Sequence, residues 1–431
     1  MNLKVWAKSD VGNVRDNNED NYFADADAGV FAVADGVGGR SRGERASAMV
    51  ADACADAAAD LHRLATEIDA HKNLDARERV LDRLREHLQR TNAAIFSEDL
   101  ERDDAHGMAT TADVVVVSHA SAYVAHVGDS RVYLMRDDEI YRVTEDHTYA
   151  EHLRSDPRSA VRRLADSDER YEHALTRSIG AKPHVDIDTL YLDVQPGDHL
   201  FLCTDGLTDY VDGDEIKAQA DRVEPDELVD TLIDLAKERG GRDNITVVCV
   251  QIPEERDQDA WPTERSIDTI RQIDFLGQIE LFEGLSALEL IKVLRTVYER
   301  SFGDGAAILE EGDPCDGLYL VVEGEISLTV EGTEVGRVGP GQHFGELAMF
   351  TEDRARLATA TSDGESLVLV VPAENLEELI DEERDLGCKL LKNLVRHAAG
   401  QIRAMNERLG RAARADTLRT VVPPEVVEEE S

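Results

Sequence analysis

The chain has 431 residues, enough for two or three domains, and its 90 Asp and Glu outnumber its 47 Lys and Arg to leave a formal charge of −43. A coat this acidic repels nucleic-acid phosphates and lacks the basic stripe that counterion release needs, which excludes DNA and RNA as direct partners. The cysteines, Cys54, Cys203, Cys249, Cys315 and Cys388, are scattered with no Cys-x-x-Cys pair, so neither a disulfide framework nor a zinc site is expected from them.

In chain order, Met1-Asn2-Leu3-Lys4 turns polar almost at once, without the apolar core of a signal peptide, and no later run is long enough to span a bilayer. A soluble, cytoplasmic protein with no membrane contact is the expectation. Arg15-Asp16-Asn17-Asn18-Glu19-Asp20 follows, and then the apolar run Val30-Phe31-Ala32-Val33-Ala34, which ends at Asp35-Gly36. Ser47 to Leu64 and Leu74 to Phe96 read as helices, the first Ala-rich, the second with Leu74, Val80, Leu81, Leu84, Leu88 and Ile95 along one side. Val114-Val115-Val116-Val117 is continuously apolar rather than alternating, the pattern of a strand buried on both faces, with helices outside and sheets inside. Asp113, just before it, reads as a side chain facing solvent at a strand start. Val124-Ala125-His126-Val127 leads to Gly128-Asp129, Leu200-Phe201-Leu202-Cys203-Thr204 to Asp205-Gly206, and Gly240-Gly241-Arg242 to Asp243-Asn244. His126, on an apolar strand, reads as a satisfied core histidine without a functional role. Short oxygen ligands at strand ends, with glycine letting the backbone come close, are what a hard divalent cation needs. Several such ends, far apart in sequence, point to one multi-metal site gathered by a sheet.

The texture changes near residue 253. Residues 254 to 267 are polar, carry Pro262 and read as a linker, after which Asp268 to Phe282 looks helical. From Phe302 to Val371, glycines such as Gly312, Gly324, Gly332 and Gly345 punctuate short β-type runs like Leu318-Tyr319-Leu320-Val321-Val322, the pattern of a sandwich or small barrel. Pro372 to Leu409 is helical again, and Leu391, Val395, Ala398, Ile402, Met405 and Leu409 form a heptad seam. That seam is either a homodimer helix, through residues 391–409, or a helix lying on its own barrel. The resulting division is 1–253, a linker 254–267, 268–412, and a disordered acidic tail 413–431.

The motifs of the first domain resemble those of the PPM family, the metal-dependent serine/threonine phosphatases of type 2C. The resemblance rests on Asp10-x-Gly12-x-x-Arg15-x-x-Asn18-Glu19-Asp20, Ala34-Asp35-Gly36-Val37-Gly38-Gly39, Gly43-Glu44-x-Ala46-Ser47, Met108-Ala109-Thr110-Thr111-Ala112, Val127-Gly128-Asp129-Ser130-Arg131, Leu175-Thr176-Arg177, Thr204-Asp205-Gly206-Leu207-Thr208-Asp209 and Arg242-Asp243-Asn244-Ile245-Thr246, in the family's order over residues 1–253. It implies an α+β fold, a four-layer α-β-β-α sandwich. Asp35 would bridge two Mn²⁺ or Mg²⁺ ions with help from the Gly36 carbonyl, Asp205 and Asp243 would hold the first ion, Glu19 and Asp20 would serve the second, and Asp129 with Asp205 would suit a third, weaker one. Paired ions make hydroxide available near neutral pH for in-line attack on phosphorus, and Arg15 offsets charge on the phosphoryl oxygens. Asp35, Asp205, Asp243 and Arg15 are thus the expected catalytic set. The expected substrates are phosphorylated serine and threonine proteins, a serine/threonine kinase among them by analogy. Position 37 is Val where some members carry a histidine that protonates the leaving group, and residues 147–172 match the family's flap in position.

Residues 275–409 resemble a cyclic nucleotide-binding domain, a jelly-roll-like β-barrel with a long C-terminal helix. Phe282-x-Gly284-Leu285-Ser286, Gly312-Asp313 and the strand through Glu323-Gly324-Glu325 carry the likeness. Its phosphate-binding cassette would run from Phe344-Gly345-Glu346-Leu347-Ala348-Met349-Phe350 to Arg356-Leu357-Ala358-Thr359. By that resemblance Glu346 takes the ribose hydroxyl of cAMP or cGMP, Arg356 takes the cyclic phosphate, and the backbone of Gly345 and Leu347 adds an anion site. Leu357 departs from the small residue usual after the arginine and crowds the phosphate. The alternative for Glu346 and Arg356 is an ion pair in a barrel without ligand, used for dimerisation or docking. A further alternative for the whole chain is a non-catalytic phosphoprotein-binding scaffold.

Overall fold

The computed structural model describes residues 2–37, 42–71, 74–101, 107–119, 121–136, 139–151, 174–253, 269–294 and 296–419. Two compact units result: Met1–Arg271 with Ser286–Leu288, and Gln272–Leu285 with Glu289–Ser431. The linker 254–267, most of the flap 147–172 and Gly38-Gly39 lie outside the described residues.

The first unit holds two five-stranded antiparallel sheets. One runs Lys4–Asp10, Ile245–Gln251, His199–Cys203, Arg131–Arg136, Glu139–Arg142; the other runs Asp188–Asp193, Ser121–Val127, Ala112–Val117, Val30–Ala34, Asn21–Asp25. The doubly apolar runs explain the layering. Side chains of a strand alternate between faces. Val30, Ala32, Val114 and Val116 pack with Val50, Leu61, Leu81 and Leu84 of the helices Arg42–His71 and Leu74–Leu100. Their neighbours Phe31, Val33, Val115 and Val117 are equally buried and turn to the opposite sheet. On that sheet Val247 and Cys249 lie under Leu228, Leu232 and Ile233 of the helix Pro225–Glu238. The four layers are therefore helix, sheet, sheet, helix, as expected.

The first helix begins at Arg42, earlier than its Ala-rich stretch suggests. Gly43 sits in its opening turn because the backbone there meets Gly36: a Cβ on Gly36 would lie 2.2 Å from the Gly43 carbonyl carbon. Asp113 corrects the sequence expectation. It is fully buried, paired in register with His126, and bonded to its Nδ1 at 2.5 Å. His126 Nε2 in turn donates to the Glu145 carbonyl at 2.8 Å, so His126 is a satisfied core histidine as expected.

The second unit is an antiparallel β-structure built on two long strands, Gly317–Val330 and Thr359–Pro372, flanked by Tyr298–Phe302, Ala307–Leu309, Thr333–Val338 and His343–Phe344. Glu331 and Gly332, both at positive φ (48° and 76°), make the two-residue turn into Thr333–Val338. Alternation again sorts the core: Tyr319, Val321, Val368 and Val370 fill one side, while Leu318, Leu320, Leu369 and Val371 meet Leu276, Phe282, Leu376, Leu386, Leu390 and Leu394 of the surrounding helices. The C-terminal helical region breaks at Glu383 into Ala373–Glu382 and Arg384–Arg419. The second helix runs on to Arg419, past the start of the tail expected from 413; residues 420–431 lie outside the described residues. It packs on the barrel through Leu386, Leu390 and Leu394, whereas Leu391, Val395 and Ile402 of the predicted seam are exposed. No helix among the described residues is long and apolar enough to cross a membrane.

Candidate active site and nucleotide pocket

The strand ends of the first unit bring the acids together. Asp20 is 5% exposed; its Oδ2 accepts from Thr204 Oγ1 at 2.9 Å and Thr246 Oγ1 at 2.7 Å. Its Oδ1 is buried and meets no donor among the described residues. Burial, followed by the charges of Asp205 and Asp243, pushes its carboxyl up to about 7. Asp35 is raised well above the carboxylate range by burial and by Asp20 and Asp205, and Asp129 by burial and Asp205. Glu19 is raised by burial and Asp243. The Asp35 and Asp205 carboxyls are in hydrogen-bond contact, which requires a proton between them unless a cation takes its place. An orphaned carboxylate oxygen and a set of acids that raise one another fit hard divalent cations. Glu19, Asp20, Asp35, Gly36, Asp129, Asp205 and Asp243 are the residues that could hold them.

The backbone that carries these acids is stitched across the sheet. Asn244 Oδ1 accepts from the Glu19 amide at 2.8 Å, and its Nδ2 donates to the carbonyls of Val11 at 3.0 Å and Asn17 at 2.9 Å. The Asp35 amide donates to Thr111 Oγ1 at 2.8 Å, and the Asp35 carbonyl accepts from Thr110 Oγ1 at 2.8 Å. Arg15, half exposed, donates through Nη2 to Asp243 Oδ2 at 2.6 Å, leaving most of its fork for another anion. Val37 is 43% exposed and brings no titratable group.

Sequence reasoning missed the supports. Gly128 N–H donates to His147 Nδ1 at 3.1 Å, so the neutral ring carries its proton on Nε2 and donates to Asp188 Oδ2 at 3.0 Å. Arg177 donates to Asp188 Oδ1 at 2.8 Å. Burial holds the His147 imidazole down at about 4; burial also pushes Asp188 up, but the His147 hydrogen bond together with the neighbouring charges, Arg177 among them, holds it below the usual range. This chain fixes the Gly128-Asp129 turn. Thr204 and Thr246 were visible only as motif letters; the signal was their place beside Asp205 and Asn244 on paired strands.

In the second unit Gly345 has φ +87° and precedes the short 3₁₀ turn Glu346–Phe350. A cavity lined by Leu309, Leu328, Phe344, Glu346, Leu347 and Arg356 opens there. Glu346 and Arg356 are 2% and 3% exposed. Arg356 donates through Nη1 to the Gly345 carbonyl at 2.8 Å, pairs through Nη2 with Asp316, and keeps a buried Nε with no acceptor among the described residues. Its ion-pair partner is thus Asp316, a residue the sequence reading did not single out. Burial pushes the Glu346 carboxyl up to about 6. Leu357 borders the cavity but is 51% exposed, so it leans to solvent rather than filling the pocket.

Comparison with known proteins covers both units. Residues 13–237 match the family model of protein phosphatase 2C, and residues 299–383 that of the cyclic nucleotide-binding domain. A putative protein phosphatase 2C-type of Streptococcus pyogenes serotype M6 is 35% identical over 254 residues, 58% of this chain and 97% of the relative. Protein phosphatase PhpP of Streptococcus pneumoniae is 32% identical over 263 residues, 59% of this chain and 99% of the relative. Among solved structures, the Mycobacterium tuberculosis serine/threonine phosphatase PstP/Ppp superposes with a TM-score of 0.50 at 31% identity, covering 58% of this chain and 99% of that one.

Proposed function

The chain belongs to the protein phosphatase 2C family and is a serine/threonine phosphatase, and on that premise we propose that it works with Mn²⁺ or Mg²⁺ and that a cyclic nucleotide held by its second unit tunes it. The observation that carries the first part is the convergence of Asp20, Asp35, Asp129 and Asp205 into one set of mutually raised carboxyls. Divalent ions bound there supply a water nucleophile activated at neutral pH and positive charge beside the phosphoryl group. Asp35, Asp205, Asp243, Asp129, Glu19 and Asp20 hold the ions, with the Gly36 carbonyl beside Asp35. Thr204 and Thr246 orient Asp20, and Asn244 ties the Glu19 backbone to that of Asp243. Arg15 takes the phosphoryl oxygens with the N–H groups that Asp243 leaves over. Since position 37 offers no proton, the leaving alkoxide draws its proton from water.

The test is phosphate release from a phosphothreonine peptide and from p-nitrophenyl phosphate by the full chain, with Mn²⁺ and with chelator. Turnover is expected only with the ion; its absence in both cases favours a phosphoprotein-binding scaffold. Arg15→Lys keeps the charge but loses the planar fork, and kcat/KM is expected to fall about 10- to 100-fold, mostly through KM. An unchanged KM removes Arg15 from phosphate binding.

For the second unit the supporting observation is a cavity that presents a buried glutamate and a buried arginine with an unused Nε. A cyclic phosphate on Arg356 exchanges for the half-exposed Asp316 carboxylate, and ribose hydroxyls donate to Glu346. Titration calorimetry of the full chain with cAMP and with cGMP is expected to give one site per chain, weakened at least about 30-fold in Arg356→Ala, as a charge-assisted contact of about 2 kcal/mol dictates. No heat at millimolar ligand reassigns the barrel to docking.

A further inference from the structure

Three side chains beside that cavity make a second constellation. His343, Glu346 and His397 each offer one donor atom within 4.8 Å of the others. His343 and Glu346 are buried, and His397 is 24% exposed in its side chain. All three belong to the second unit. The His343 and His397 rings lie 4.2 Å apart, and His397 Nε2 stands 3.9 Å from Glu346 Oε1. Hydrogen bonding within the trio does not account for its closeness: 3.9 Å between His397 and Glu346 exceeds a hydrogen bond, and His343 Nε2 is buried with no partner among the described residues. His397 Nδ1 faces the exposed Glu280 carboxylate at 4.0 Å, likewise beyond hydrogen-bond range.

We propose that His343, Glu346 and His397 bind a transition-metal ion of the zinc type, linking the helix Arg384–Arg419 to the turn that carries Glu346. Two imidazoles and one carboxylate suit Zn²⁺ with an open fourth position, whereas Mg²⁺ and Mn²⁺ favour oxygen sets such as the carboxylate cluster of the first unit. Bonds of about 2.0–2.1 Å place tetrahedral donors roughly 3.4 Å apart, so the donor atoms, 3.9 Å apart for His397 and Glu346 and within 4.8 Å overall, close by about 0.5–1.4 Å through side-chain rotations. The site stands on its own residues whether or not the pocket takes a nucleotide. Where it does, the ion and the ribose hydroxyls draw on the same Glu346 carboxylate and compete.

The experiment uses the full chain, stripped with chelator and held in excess Mg²⁺ to occupy the oxygen sites, then titrated with Zn²⁺ by calorimetry and measured by X-ray absorption at the zinc edge. One zinc per chain with two imidazoles in its shell is expected. Asp35→Asn keeps this zinc, while His397→Gln weakens it at least about 30-fold and leaves Mg²⁺-dependent phosphatase activity intact, which also reports that the variant is folded. His343→Ala is expected to remove it, with His397→Gln carrying the test if that buried substitution impairs folding. Zinc bound equally by His397→Gln, or a zinc shell without imidazole, overturns the site.

Discussion

Asp35→Asn is expected to abolish Mn²⁺-dependent phosphatase turnover, by about 10³-fold or more, while raising the melting temperature of the metal-free protein. The two effects have one cause. Asp35 lies among Asp20, Asp205 and Asp129, and each raises its carboxyl above the ordinary range. Without cations the fold must either keep buried like charges together or take up a proton there that the unfolded chain does not bind, and either costs stability. The amide of Asn is nearly isosteric and uncharged, so it relieves repulsion and keeps the backbone links of residue 35 to Thr110 and Thr111. A relief of about 1–2 kcal/mol corresponds to a rise of about 2–8 °C in a domain of this size. With Mn²⁺ the ranking inverts. The wild type gains about 2.7 kcal/mol at a ligand concentration of 100 Kd, and the variant loses most of that gain with its bridging ligand. Thermal scans with and without Mn²⁺, beside a phosphate-release assay, check both halves. A variant that still turns over removes Asp35 from the ion site; a metal-free variant that melts below wild type removes the repulsion.

Much of this site was legible because the information is local. Asp35, Asp129, Asp205 and Asp243 each sit at the end of an apolar run or in a glycine-rich turn, and the continuously apolar Val114–Val117 announced a strand sandwiched on both faces. What escaped depends on which segments face one another. Asp113 looked like a solvent-facing residue because a charge at a strand start usually is one. The hairpin Ala112–Val117 with Ser121–Val127 puts it opposite His126, and only that register turns two odd polar residues into one satisfied buried pair. The support His147–Asp188 beneath Gly128 joins positions 41 apart with no motif around Asp188. The C-terminal helix shows a different limit. Its seam Leu391, Val395, Ile402 and its packed face Leu386, Leu390, Leu394 are two apolar stripes on one helix. Periodicity finds a stripe and does not say which one meets the barrel.

Gly206→Ala is expected to cost at least about 10²-fold in kcat/KM and, unlike Asp35→Asn, to lower stability, by about 3 kcal/mol or roughly 10 °C. Gly206 is buried in the opening turn of the short helix Asp205–Thr208. A Cβ there would stand 1.9 Å from the Asn244 carbonyl oxygen and 2.9 Å from its carbon. These are backbone atoms, so no rotamer relieves the clash; the ends of His199–Cys203 and Ile245–Gln251 must part. Asp205 sits on one of those ends and Asp243 on the other, and Asn244 passes any displacement to Glu19, Val11 and Asn17 through its side-chain bonds. The ion ligands therefore move apart together, and Mn²⁺ affinity falls with turnover. Gly213→Ala is the control. It lies in the same unit at the start of the helix Gly213–Ala220, where a Cβ meets nothing closer than 3.4 Å, and alanine favours the helix. Its activity and melting temperature should match wild type or rise slightly. The decisive reading is the sign of stability across the variants: both Asp35→Asn and Gly206→Ala silence the site, one by removing a repelling ligand from an intact cage and the other by prying the cage open. If Gly206→Ala melts with wild type and binds Mn²⁺ equally, close backbone approach at Asn244 is not what holds the acids in place.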